Sequence, residues 1–183
     1  SNILTWWAVH QRSAKFFSMG TSCSYDPEIA LTEDNYLIGT PIDSLYTYAM
    51  TKRMMEVGLI AMNKQFGLRH LTVVPSTIYG PDYHTDGRQM HFIFDLITKI
   101  VRAKRTGSEV VLWGDGYQKR ELVYVEDFSN DFVTLMKNDA EGIYNLGAGE
   151  EYTIREFAET ICECVGFDAK EIKYDESKYV GAR

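Results

Sequence analysis

Residues 47–75, "TYAMTKRMMEVGLIAMNKQFGLRHLTVVP", change from a helical pattern to a strand pattern within one short stretch. From about Thr47 to Gly67, Met50, Met54, Val57, Leu59, Ile60 and Ala61 supply an apolar helix face, and Gly67 is a stop signal. From His70 the residues turn β-branched and apolar, which reads as a strand closing on Pro75. A helix feeding directly into such a strand is the local unit of an α/β fold.

The same alternation extends in both directions. Residues 3–12 ("ILTWWAVHQR") read as the end of a helix, and "KFFSMGTS" as a buried strand running into a turn at Gly20–Ser22. Residues 26–45 are broken by Pro27, Gly39 and Pro41 and read as irregular. Helices are expected at 90–104 and 126–137, and strands at 110–113, 121–125 and in "GIYNLGAG". Thr153 and Glu156 form a capping box that opens a further helix, and "EIKYD" is a last short strand. Strands alternating with helices predict an α/β fold with a largely parallel sheet. The chain opens inside a helix with no strand before it to cover, so it is expected to be the later part of something longer.

Bulk properties narrow the function. A chain of 183 residues with 45% hydrophobic, 25% charged and 13% aromatic residues has an ordinary globular composition. A net charge of −7 argues against a general nucleic-acid binder, which carries a basic stripe. No apolar run approaches the roughly 18 residues of a membrane span, and no signal peptide is visible, so a membrane partner is not expected. The odd set Cys23, Cys162 and Cys164 suits a reducing cytoplasm better than a disulfide framework. Cys162 and Cys164 lie two apart on a helical pattern and face different ways, so no metal site is expected there.

Tyr48 and Lys52 are four apart, which places them on one helix face. A lysine held there favours ionised tyrosine, so the pair can move a proton. Tyr174 and Lys178 have the same spacing, and spacing alone does not choose between the two pairs. The surroundings do. Tyr48–Lys52 is preceded by a strand ending in "GTSCSY" and followed by one ending in "VVPSTIYGP", whereas Tyr174–Lys178 lies near the chain end with no such turn before it.

In that order of segments the sequence resembles the extended short-chain dehydrogenase/reductase family, the nucleotide-sugar epimerases, dehydratases and reductases. It looks most like the branch that epimerises at carbons 3 and 5 and reduces at carbon 4 of a GDP-4-keto-6-deoxyhexose with NADPH. The resemblance covers nearly the whole chain but only about the last two-thirds of a family chain, without its C-terminal end. The Gly-x-x-Gly-x-x-Gly phosphate loop is expected in the part that precedes Ser1. The resemblance implies a Rossmann-type parallel sheet (its second half) from residues 1–80 and about 121–145. It implies a small α/β substrate lobe from about 81–120 and 146–183.

The resemblance also assigns residues. Thr21, four before Tyr25, joins Tyr48 and Lys52 in a catalytic triad: Tyr48 gives a proton to the carbonyl oxygen, Lys52 also holds the nicotinamide ribose, and Thr21 donates to the same oxygen. Cys23 and His91, the latter twelve beyond Tyr79, are implied as the acid/base residues of epimerisation, with His91 also near the cofactor. Pro75, Ser76, Thr77 and Ile78 stand where the family touches the nicotinamide, Thr77 replacing a common Asn. Lys99, Trp113 and Arg120 match substrate-binding positions. Lys99 lies eight beyond His91 and is expected to share a helix face with it. Arg102 extends that stripe, and Lys119 is a cation adjacent to Arg120. Val180 occupies the position of a substrate-contacting Asp, which leaves the bound sugar or nucleotide open. The implied cofactor is NADP, with NAD left open, and the implied assembly is a homodimer. Two other readings stay open: a simple nucleotide-sugar 4-keto-reductase or 4-epimerase, and a non-catalytic fragment that binds a nucleotide sugar.

Overall fold

A computed structural model of the chain describes residues 2–84, 86, 88 and 90–178. The elements run α1 (Asn2–His10), β1 (Phe16–Met19), α2 (Tyr46–Phe66), β2 (His70–Pro75), β3 (Thr77–Tyr79), α3 (Phe92–Thr106), β4 (Val110–Trp113), β5 (Lys119–Arg120), β6 (Leu122–Tyr124), α4 (Val125–Lys137), β7 (Gly142–Leu146), β8 (Tyr152–Thr153), α5 (Ile154–Val165) and β9 (Ile172–Asp175). Short 3₁₀ turns occupy Ser22–Ser24, Glu33–Asn35, Asp43–Leu45 and Ala169–Glu171. The α/β alternation read from residues 47–75 therefore runs through the chain, which divides into two units. The first comprises residues 1–78 and 123–148, the second residues 79–122 and 149–183.

The first unit is organised around a parallel sheet in the order β1-β2-β7, with Phe16 opposite His70 and Leu71 opposite Gly142. β2 is the middle strand and is buried from His70 to Val74. Its side chains alternate between the two faces. Leu71 and Val73 pack with Phe128 of α4, Val123 and Leu146, while Val74, on the opposite face, packs with Tyr25 and Tyr36. A strand covered on both faces needs no polar alternation, which is why "HLTVV" reads as a continuous run.

Two expectations fail here for physical reasons. β1 is half exposed rather than buried, because it stands at the end of the described sheet order and turns Phe17 and Met19 outward. The buried face of α2 is Ala49, Arg53, Glu56 and Leu59, whereas Met54 is 64% exposed and Val57 47%. Polar residues take the inner face because their partners sit on it. Glu56 accepts the Thr72 hydroxyl and pairs with His70 Nε2 at 3.3 Å, and Arg53 reaches three backbone carbonyls. Leu59 alone of the expected apolar face is fully buried, in a cluster with Leu4 and Trp7 of α1 and Leu68. Gly58 permits that contact, since a Cβ there would lie 2.6 Å from Leu4 Cδ1. At Gly67 the chain takes the left-handed conformation (φ 67°) and ends α2.

In the second unit β4 and β9 pair in parallel and β5 and β8 antiparallel. Leu96, Ile100 and Ala103 of α3 pack with Ala158 and Cys162 of α5 against Val110, Leu112 and Ile172. Cys162 is buried and Cys164 exposed, so the two do face different ways. The capping box is present in both halves. Thr153 Oγ1 accepts the Glu156 N–H at 3.2 Å, and a Glu156 carboxylate oxygen accepts the Thr153 N–H at 2.7 Å.

Candidate active site

In a parallel sheet the loops after the strands' carboxyl ends are the usual ligand side. At that end of β1, Gly20 N–H continues the ladder by donating to the Val73 carbonyl at 2.8 Å. Thr21 then caps the Ser22–Ser24 turn, its Oγ1 accepting the Cys23 N–H at 3.3 Å. The bond occupies the hydroxyl oxygen as an acceptor and keeps its proton available for donation. Thr21 is buried and Cys23 partly so, as a free thiol.

The turn is bound to α2 at the residues that follow Tyr48 and Lys52. Ser24 Oγ donates to the carbonyl of Ala49, one residue after Tyr48, at 3.3 Å. Arg53, one residue after Lys52, donates from Nε to the Ser24 carbonyl at 2.8 Å. Lys52 Nζ itself donates to the Met19 carbonyl at 2.9 Å and lies 6.0 Å from the centroid of the Tyr48 ring. Thr21, Cys23, Tyr48 and Lys52 are thus assembled in one place, with the Tyr48 side chain exposed.

At the end of β2, Ser76 N–H donates to the Leu146 carbonyl at 3.1 Å, and its buried hydroxyl has no hydrogen-bond partner among the described residues. Pro75, Thr77 and Ile78 flank it, all half-buried. The orphan Ser76 hydroxyl at a carboxyl strand end, and the Lys52 ammonium that uses one of its three donors on Met19, each fit a polar group of a cofactor.

Tyr174–Lys178 is a different object. Tyr174 lies on β9, packs against the core of the second unit and carries the Arg155 guanidinium over its ring at 3.9 Å. Lys178 follows in a turn, its N–H on the Asp175 carbonyl, so the two do not share a helix face.

The remaining candidates belong to the second unit. His91 is exposed and precedes α3 in extended conformation (φ −61°, ψ 150°), so it is not part of the helical face that carries Lys99, contrary to the spacing argument. Its N–H donates to the Tyr83 hydroxyl at 3.0 Å, and the two rings meet edge to face at 6.3 Å. Lys99 is paired with Asp95 at 2.7 Å. Trp113 is exposed at the end of β4, opposite Asp175. Arg120 is half-buried and donates to the Lys119 carbonyl at 2.6 Å. Burial lowers the guanidinium's pKa while the Glu151 carboxylate opposes the change. Val180 lies outside the described residues.

Sequence reasoning missed Arg53 and Tyr36. Arg53 is buried and donates to Ser24, Gly39 and Ile38 carbonyls at 2.8, 2.8 and 2.7 Å. Tyr36 is buried with its hydroxyl on the Thr21 N–H at 3.3 Å. Neither stands at a recognisable spacing from its partners, which are distant in the chain.

The model of the NAD dependent epimerase/dehydratase family matches residues 1–147. GDP-L-colitose synthase of Yersinia pseudotuberculosis is 34% identical over 180 residues, covering 92% of this chain and 56% of that protein. GDP-L-fucose synthase of Escherichia coli (strain K12) is 30% identical over 193 residues, covering 97% of this chain and 59% of that protein. Among solved structures, a GDP-L-fucose synthetase from Naegleria fowleri bound to NADP is 25% identical. It superposes with a TM-score of 0.86 over 98% of this chain and 59% of that one. The chain therefore spans between half and two-thirds of the length of these relatives.

Proposed function

The chain belongs to the NAD dependent epimerase/dehydratase family, and from that premise we propose that it carries the catalytic turn of an NADPH-dependent epimerase/reductase for a GDP-4-keto-6-deoxyhexose. The observation that carries this is the Thr21–Ser24 turn bound to α2 through Ala49 and Arg53, which sets Thr21 and Cys23 beside Tyr48 and Lys52. The GDP-sugar substrate and NADP rest on the relatives, whose names carry GDP-L-colitose, GDP-L-fucose and bound NADP. NADPH, when bound, supplies the hydride that reaches carbon 4.

This chain's residues supply the proton chemistry. Tyr48 gives its phenolic proton to the oxygen at carbon 4, and the nearby Lys52 ammonium favours the tyrosinate that is left. The Thr21 hydroxyl, whose oxygen already accepts the Cys23 N–H, donates its proton to that same oxygen as charge builds there. Ser76 and Lys52 would hold the cofactor's polar groups, with Pro75, Thr77 and Ile78 alongside and His91 in the same role. A 4-keto group acidifies the protons on carbons 3 and 5. A thiol and an imidazole can each give and take a proton, so Cys23 and His91 exchange those protons. Lys99, Trp113 and Arg120 bind the nucleotide sugar, the cations on its phosphates and the indole on a flat ring.

A cytoplasmic location goes with a Cys23 thiol that must stay reduced. A homodimer goes with the outward apolar side chains Met54 and Val57 on α2 and Ile3, Trp6 and Val9 on α1.

The test is turnover of the GDP-4-keto-6-deoxyhexose by the whole protein with NADPH in deuterated water. The proposal expects NADPH oxidation and product labelled at carbons 3 and 5. Oxidation without label would leave a simple 4-keto-reductase, and tight sugar-nucleotide binding without either would leave a binding protein.

A further inference from the structure

The irregular segment 26–45 buries an unexpected side chain. Leu37 and Ile38 are 37% and 54% exposed, while their neighbour Tyr36 is 1% exposed. Apolar burial alone would favour the reverse choice, since a phenol taken out of water must find partners for its hydroxyl. Tyr36 finds one on the catalytic turn. Its oxygen accepts the Thr21 N–H at 3.3 Å. Its ring packs edge to face on Tyr25 at 5.3 Å. Gly20 leaves the space for it, because a Cβ there would stand 2.8 Å from the Tyr36 oxygen. Arg53 fixes the same segment from the other side through the Ile38 and Gly39 carbonyls.

We propose that Tyr36 is a positioning residue: its hydroxyl sets the backbone of the Thr21–Ser24 turn and so aims the Thr21 and Cys23 side chains. This inference rests on the catalytic reading above. It acts through the turn, so a loss of the hydroxyl disturbs both chemistries that the turn carries. Burial raises the phenol's pKa, which keeps it neutral and uncharged beside Thr21 at physiological pH.

The experiment is Tyr36→Phe in the whole protein, which keeps the ring and removes the hydroxyl. Amide hydrogen exchange at Thr21 is expected to accelerate by about tenfold, the worth of one hydrogen bond. kcat should fall by about tenfold with KM for the nucleotide sugar nearly unchanged. NADPH oxidation and deuterium uptake at carbons 3 and 5 should fall in parallel. If the variant does not fold, 3-fluorotyrosine at position 36 keeps the ring and the hydroxyl, weakens its oxygen as an acceptor, and should give the same parallel loss at smaller size. Faster exchange with unchanged kcat would reduce Tyr36 to a packing residue and overturn the proposal, as would unchanged exchange. A wild-type protein without turnover would overturn the catalytic reading instead, and the amide exchange would then decide by itself whether Tyr36 holds the turn.

Discussion

Arg53 Nε donates to the Ser24 carbonyl oxygen at 2.8 Å, so the helix that carries Tyr48 and Lys52 also carries the Thr21–Ser24 turn. The same guanidinium holds the Gly39 and Ile38 carbonyls. Arg53→Met should lower stability by about 3 kcal/mol, because the buried Ser24 carbonyl and the partly covered Gly39 and Ile38 carbonyls lose a charged donor. Arg53→Lys should recover only part of it, since a single ammonium does not reproduce a planar fork. Urea denaturation of the two variants checks this, and equal stability of all three proteins would remove Arg53 from the account.

For the proton donor, Tyr48→Phe should reduce NADPH oxidation by about 10²–10⁴-fold, the usual contribution of general acid catalysis. Lys52→Met should fall in the same range and also raise KM for NADPH. Steady-state kinetics on the whole protein separate the two. The control is Tyr174→Phe, whose ring is covered by Arg155 and packs in the core, and which should leave kcat unchanged.

Cys23→Ser should abolish deuterium uptake at carbons 3 and 5, because an alcohol near neutral pH is too weak an acid and base to replace a thiol. Reduction of a sugar already in the product configuration should persist. Mass spectrometry of the product reads both. Unchanged uptake would assign the proton exchange elsewhere.

Thr153 and Glu156 satisfy each other's backbone N–H groups at the start of α5. Thr153→Ala should cost about 1 kcal/mol, and Glu156→Ala a fraction of it. Thermal unfolding of each variant measures the two losses.

Tyr25 donates to Asn145 Oδ1 at 2.6 Å, and burial pushes its phenol from 10.0 up to about 12. The raised value means that the folded state holds the proton more tightly than the unfolded state. The contribution of Tyr25 is therefore complete below pH 10 and declines as pH rises toward about 12. Tyr25→Phe should be less stable at neutral pH and should show a shallower decline across that interval. The difference between the two stability profiles isolates this residue from the other tyrosines.

The division between α2 and β2 was legible in residues 47–75 because it depends on local rules. A helix-spaced run, a glycine stop and a continuous β-branched stretch each act over a few residues. The Thr153–Glu156 cap is legible for the same reason. The candidate turn could be named only through the family resemblance, which assigns Thr21 and Cys23 within one short segment and Tyr48 and Lys52 within another.

What lay beyond the sequence is whatever depends on partners far apart in the chain. The polar inner face of α2 contradicts an apolar count of that helix, because Arg53 and Glu56 are stabilised by Ser24, Ile38, Gly39, His70 and Thr72. Lys99 and His91 have helical spacing yet differ in backbone, since the helix starts only after His91. Tyr48–Lys52 and Tyr174–Lys178 are identical as spacings. Tertiary structure separates them by placing the first pair on a helix beside Met19 and the second on a strand and a turn. Spacing records which side chains can meet, and only packing, through burial and the need to satisfy every buried polar group, decides which of them do.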